Sequence, residues 1–132
     1  MADIRFLTFD DIIYIHSQEI KQAKSKAEIR SKIDIKTCLE SPKATFDGNY
    51  LMNIFEMAAS YLIGFCIRHP FTDGNKRVAL ASAIIFLEIN GYELEEENGI
   101  DFADLVLDFL AHKKTKEDIV AFFESKSSNL ND

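Results

Sequence analysis

Along most of the chain, apolar residues recur three and four positions apart, the spacing of one face of an α-helix. Phe9, Ile12, Ile13 and Ile20 make the first such face, opened by Thr8 as N-cap with Asp11 in the first turn. Residues 21–32, KQAKSKAEIRSK, are polar and end it. A shorter apolar segment, Ile33 to Leu39, stops at Ser41-Pro42, because the residue before a proline disfavours helical backbone. From Leu51 the pattern strengthens: positions 51, 54, 55, 58, 59, 62, 65 and 66 are all apolar, a broad stripe that predicts a buried helix. Pro70 ends it near Arg68.

Val78 to Ile89 is apolar on nearly every side and is predicted as the central helix, closed by Asn90-Gly91. Two more helices are expected over 99–111, with Asn98 as candidate N-cap, and over 116–125, opened by Thr115 and Asp118. Asp47-Gly48-Asn49 is a turn signal, so 42–49 reads as an exposed loop with room for a small hairpin. The tail SKSSNLND is polar and expected to fray. The pattern therefore predicts an all-α fold, a compact single-domain helical bundle of five to six helices over residues 1–126. A polar C-terminal tail would occupy 127–132.

With 132 residues there is length for one core and not comfortably for two. A net charge of −7 argues against general binding to nucleic acid or an anionic membrane, which makes any local cluster of cations informative. The longest apolar runs, near Met57–Ile67 and Val78–Leu87, are shorter than the roughly 20 residues that span a bilayer. The first 20 residues lack the basic and apolar regions of a secretion signal, so a soluble, cytoplasmic protein is expected. Cys38 and Cys66 have no metal-type spacing, and Cys66 falls on an apolar helix face as a buried free thiol.

Chemistry concentrates in HPFTDGNKR, residues 69–77, at the start of the central helix. A helix N-terminus offers unpaired N–H groups and the positive end of the macrodipole. Gly74 permits a sharp turn and a close approach, Asn75 carries an amide, Lys76 a point charge, and Arg77 a fork that matches phosphate oxygens. Together they read as a phosphate cradle. Two cations in a first turn oppose the dipole unless an anion is bound. His69, as a neutral imidazole, can take a proton from a hydroxyl, and Asp73 offers an oxygen ligand to Mg²⁺ or, alternatively, an N-cap to the helix. Base, metal ligand and phosphate clamp are the parts of phosphoryl-type transfer. Phe71 reads as a core anchor, His16 as a packed histidine, His112 with Lys113 and Lys114 as a favourable helix C-terminus, and Glu93–Glu97 as a solvated run.

The same nine residues resemble the motif of the Fic/Doc family, His-Pro-Phe-x-[Asp/Asn]-[Gly/Ala]-Asn-[Gly/Lys]-Arg. RFLTFDDIIYIHSQEI (5–20), ESPKATFDGNYLMNIFEMAA (40–59) and RVALASAIIFLEINGYEL (77–94) resemble its Doc (death-on-curing) branch, so the likeness runs over nearly the whole chain. The resemblance implies His69 as the catalytic base, Asp73 as the position associated with Mg²⁺, Gly74, Asn75 and Lys76 as the anion-binding turn, and Arg77 as the phosphate-contacting arginine. It also implies a substrate-positioning flap made of Lys43, Ala44, Thr45, Phe46, Asp47, Gly48 and Asn49.

Two departures from the nucleotidyl-transferring Fic pattern bear on the reaction. Lys76 stands where that pattern has glycine, and Leu80 where it has a second arginine. In Doc-like proteins the lysine goes with a nucleotide that presents its γ-phosphate. No Ser/Thr-x-x-x-Glu-Gly/Asn segment of the kind that inhibits in cis is present. The resemblance thus implies a toxin of a type II toxin–antitoxin system. It would be a kinase-like phosphotransferase using ATP and Mg²⁺ on a translation protein such as elongation factor Tu, restrained by a prevent-host-death-like antitoxin. The alternatives are AMP transfer by a Fic-type nucleotidyltransferase and a non-catalytic nucleotide- or partner-binding module.

Overall fold

A computed structural model describes residues 3–24, 26–95 and 101–130. It contains α1 (Phe9–Ala23), α2 (Lys32–Glu40), α3 (Ile54–Arg68), α4 (Asn75–Ile89), α5 (Asp101–Leu110) and α6 (Lys116–Lys126). Between them lie four short strands, β1 (Thr45–Phe46), β2 (Asn49–Tyr50), β3 (Tyr92–Leu94) and β4 (Ser127–Asn129), and a 3-10 turn at Ser41–Lys43. The expected all-α bundle is what forms.

The helix starts follow from side chains in the sequence. Thr8, Asn53 and Thr115 each close a capping box with the acidic residue three positions on, satisfying N–H groups that a helix leaves without internal partners. α3 consequently begins at Ile54 and not at Leu51: the Asn53 side chain accepts from the Glu56 N–H, and Leu51 stays outside, largely exposed. The predicted cap at Asn98 lies outside the described residues.

α3 and α4 pack against each other more extensively than any other pair, and α1, α2 and α6 close over them. Tyr61, Phe65, Phe86, Phe123, Met57 and Leu62 are all fully buried in this centre, and Tyr61 meets Phe86 edge to face at 5.0 Å. Burial of this kind stabilises by roughly 25 cal/mol per Å² of apolar surface. The N-terminal segment is latched across it: the Asn90 amide accepts from Arg5 N at 2.8 Å and donates to Arg5 O at 2.9 Å. The Tyr61 hydroxyl accepts from Leu7 N at 3.2 Å.

Two segments differ from expectation. The tail was expected to fray, yet β4 pairs antiparallel with β3, in the register Tyr92 to Asn129 and Leu94 to Ser127. Composition hid this, because a polar strand paired along one edge has no apolar alternation to betray it. The polar stretch after α1 is not a plain connector either. Ile29 bridges to Phe71, with Arg30 N and Ser31 N donating to Pro70 O at 2.7 and 3.0 Å, and Thr72 N donating to Glu28 O at 2.9 Å. Residues 28–31 thus strap the 69–72 segment down onto the bundle.

Candidate active site

The HPFTDGNKR segment is the turn between the two central helices, and each part of it is held by a different neighbour. Arg68 ends α3, and His69 is its C-cap, in left-handed backbone at φ 50°, ψ 57°. That conformation is uncommon for a residue with a Cβ and turns the chain sharply out of the helix. The His69 side chain is exposed. Pro70 and Phe71 then dive inward, both buried. Phe71 is the anchor the sequence suggested.

The Phe71 ring lies flat against His16 of α1, with centroids 3.7 Å apart and planes 8° from parallel. The sequence suggested a packed histidine, and the structure adds a second task. His16 Nε2 lies 3.1 Å from the Asp73 carbonyl oxygen, so the ring donates there and carries its proton on Nε2. Burial pulls the His16 pKa below the ordinary value of 6.5, and Arg77 pulls the same way. The Asp73 carbonyl and carboxylate work against that shift without cancelling it.

Gly74 is the N-cap of α4 at φ 83°, ψ 11°. Glycine is favoured there by its left-handed conformation, and a Cβ would lie 2.9 Å from Ile20 Cδ1, the end of a side chain that would have to shift. The Gly74 N–H donates to Asp73 Oδ1 at 2.8 Å, and Asp73 Oδ2 lies 3.9 Å from Arg77 Nη2. Asp73 therefore already turns toward the helix start.

Asn75 behaves differently from the simplest reading of the motif. Its Nδ2 donates to Phe71 O at 2.9 Å and its Oδ1 accepts from Phe71 N at 3.0 Å. Both ends of the amide are engaged in shaping the turn, which leaves Asn75 one Nδ2 hydrogen and its backbone N–H to offer an anion. The first-turn N–H groups of α4 have no carbonyl within the helix to reach. No side chain caps this end. Lys76 and Arg77 flank it, both exposed. His69, Asp73, Gly74, Asn75, Lys76 and Arg77 are thus gathered on one turn around a helix start that favours negative charge.

Among the described residues no three His, Cys, Asp or Glu side chains cluster as a metal cage. Asp73 is the acidic residue of the turn, and one carboxylate suits Mg²⁺, which takes most of its ligands from water and phosphate oxygens. That fits a metal arriving with a nucleotide.

The segment expected as the flap contributes to a two-stranded hairpin, Thr45 paired with Tyr50 and Phe46 with Asn49. Asp47 and Gly48 both have positive φ, 53° and 81°, as a tight hairpin turn requires. It is anchored separately from the motif turn: Tyr50 meets Phe6 edge to face at 5.5 Å, and Ser41 and Ser60 hydroxyls bond at 3.0 Å below it. Phe46, 74% exposed, is left to solvent at its tip.

One group the motif did not announce stands beside His69. Arg30 Nε donates to His69 O at 2.6 Å and Arg30 Nη2 to Arg68 O at 2.6 Å. The signal that could have found it, an arginine in a polar stretch ahead of a Ser N-cap, is too common to stand out.

The family model for the Fic/DOC family matches residues 6–87. The chain belongs to the Fic/DOC family, on its Doc branch. It is 26% identical over 104 residues to protein kinase doc of Escherichia phage P1, covering 79% of this chain and 81% of that protein. It is 33% identical over 81 residues to toxin Doc of Mycolicibacterium smegmatis, covering 61% of this chain and 62% of that protein. Among the described residues no helix is long and apolar enough to cross a membrane.

Proposed function

We propose that this protein is a Doc-like toxin that moves the γ-phosphoryl group of ATP to a hydroxyl of a translation protein, elongation factor Tu being the first candidate. The observation that carries the reading is the α4 start, where Lys76, a cation on a compact flexible stem, sits in place of the glycine of nucleotidyl-transferring relatives. A relative named as a protein kinase and another named as a toxin support it.

In this reading the α4 N–H groups, Lys76 and Arg77 grip the nucleotide's phosphate oxygens, and the flap aligns the substrate segment. Asp73 would hold Mg²⁺, which supplies charge neutralisation on the phosphates when bound. His69 accepts the proton as the substrate oxygen forms its bond to the γ-phosphorus. The bond from that phosphorus to the β,γ-bridging oxygen breaks, and the electron pair leaves with ADP. An exposed toxin of this kind would be restrained by a separate antitoxin in the same cytoplasm.

The test is incubation of the full chain with elongation factor Tu and ATP labelled at either the α- or the γ-phosphate. The γ-label is expected on the protein substrate, and none with His69→Ala. Transfer of the α-label alone would overturn the kinase reading in favour of AMP transfer. Absence of any ATP binding would favour a non-catalytic module.

A further inference from the structure

We propose that Arg30 is a positioning residue that sets the aim of His69; the inference rests on the assignment of His69 as the base. Arg30 immediately precedes Ser31, the N-cap of α2, and is distant from the motif in sequence. Its fork reaches both carbonyls that end α3: Nε donates to His69 O and Nη2 to Arg68 O, each at 2.6 Å. Nη2 also donates to Asp34 Oδ2 at 3.2 Å, and Asp34 Oδ1 lies 3.5 Å from Arg68 Nη1. One carboxylate thus ties two guanidinium groups together at the end of α3 that His69 caps.

The backbone completes the clamp. Arg30 N and Ser31 N both donate to Pro70 O, so the three consecutive carbonyls of Arg68, His69 and Pro70 are all gripped from the 30–31 step. His69 has to hold left-handed backbone to point its ring out of the bundle. Nothing within α3 enforces that conformation, since the last carbonyls of a helix have no partners inside it. A guanidinium donating to them, at the negative end of the helix dipole, does. A lysine could offer charge there but not two diverging donors in a fixed plane. The Arg30 side chain bonds to carbonyls 68 and 69, while residues 73–75 are held by His16 and by the bonds of Asn75 to Phe71, so its side chain acts on the base more than on nucleotide binding.

The test uses the full chain with Arg30→Ala and Arg30→Lys. The first measurement is the His69 Cε1–Hε1 NMR correlation, assigned by its loss in His69→Ala and independent of any reaction. In Arg30→Ala it is expected to shift or split while the His112 signal stays in place. The second is γ-phosphate transfer. In Arg30→Ala, kcat is expected to fall roughly 10²-fold, as misplacing a reacting group does, with KM for ATP changed by less than about twofold. Arg30→Lys is expected to repair little, and millimolar methylguanidinium added to Arg30→Ala to restore part of kcat. A wild-type kcat in Arg30→Ala overturns the proposal, as does full repair by lysine. If the wild-type chain transfers no γ-phosphate, the reaction proposed above fails, and an unmoved His69 signal in Arg30→Ala then overturns this inference separately.

Discussion

His16 and Phe71 lie ring on ring, 3.7 Å apart, and the same imidazole donates to the Asp73 carbonyl two residues further on. α1 therefore supports the motif turn by a stack and a hydrogen bond at once. His16→Phe should keep the stack and lose the bond, costing about 1 kcal/mol. His16→Ala should lose both and leave a void, costing a further 2 kcal/mol or so. Urea unfolding of the two variants beside the wild type checks the order; equal losses would mean the stack contributes nothing, and an unchanged His16→Phe would mean the same of the bond.

The same histidine predicts a pH dependence. Its folded pKa lies below the unfolded value of 6.5, chiefly because burial disfavours the charged ring. The unfolded chain therefore binds the proton first as pH falls. The stability that neutral His16 contributes is complete above 6.5 and is lost as pH drops through the folded value. The stability gap between wild type and His16→Phe, measured at pH 7.5 and 5.5, should narrow or reverse at the lower pH. A gap that widens in acid would contradict the sign.

Gly74→Ala should be damaging out of proportion to one methyl group. Left-handed backbone disfavours a Cβ by roughly 1–2 kcal/mol. The added methyl would also crowd Ile20 Cδ1. Loss of stability and weaker binding of ATP are both expected. Adding Ile20→Val should return part of the stability, because it clears the clash, and none of the strain.

Asn75→Ala should loosen the turn by removing both bonds to Phe71, at about 1–3 kcal/mol for the partly buried groups left unpaired. Asn75→Asp keeps the acceptor and sets a carboxylate oxygen against the Phe71 carbonyl. It should be at least as destabilising as alanine in thermal unfolding.

Both thiols should be silent in the folded protein. Burial pushes Cys38 up to about 11 and Cys66 up to about 12, against small opposing pulls from Arg68 and Lys76 respectively. At pH 8 a disulfide reagent should label neither at a measurable rate in buffer and both in denaturant. Rapid labelling of either one in buffer would show that the bundle opens locally.

Helix positions and the motif were legible because each is written in nearby residues. Thr8 with Asp11 and Thr115 with Asp118 announce a helix start within four positions, and Asp47-Gly48 announces a hairpin within two. The start of α3 was misplaced by three residues, because Leu51 shares the apolar period while Asn53 does the capping. The double bond of Asn75 to Phe71, the task of His16 and the clamp of Arg30 were not legible. Each depends on where a distant backbone carbonyl or ring ends up, and periodicity says nothing about that. Asn75 is instructive, since a motif letter shows that an amide is needed and not what it bonds.

Among the described residues, the groups seen to brace the motif turn from outside, His16, Ile20, Glu28, Ile29, Arg30 and Ser31, precede it in the chain. During synthesis the turn and α4 therefore emerge after the segments that brace them, although the core beneath is completed only when Ile119 and Phe123 of α6 arrive. Exchanging the segment after α4 between relatives should accordingly act on the turn only through the shared core, by way of stability.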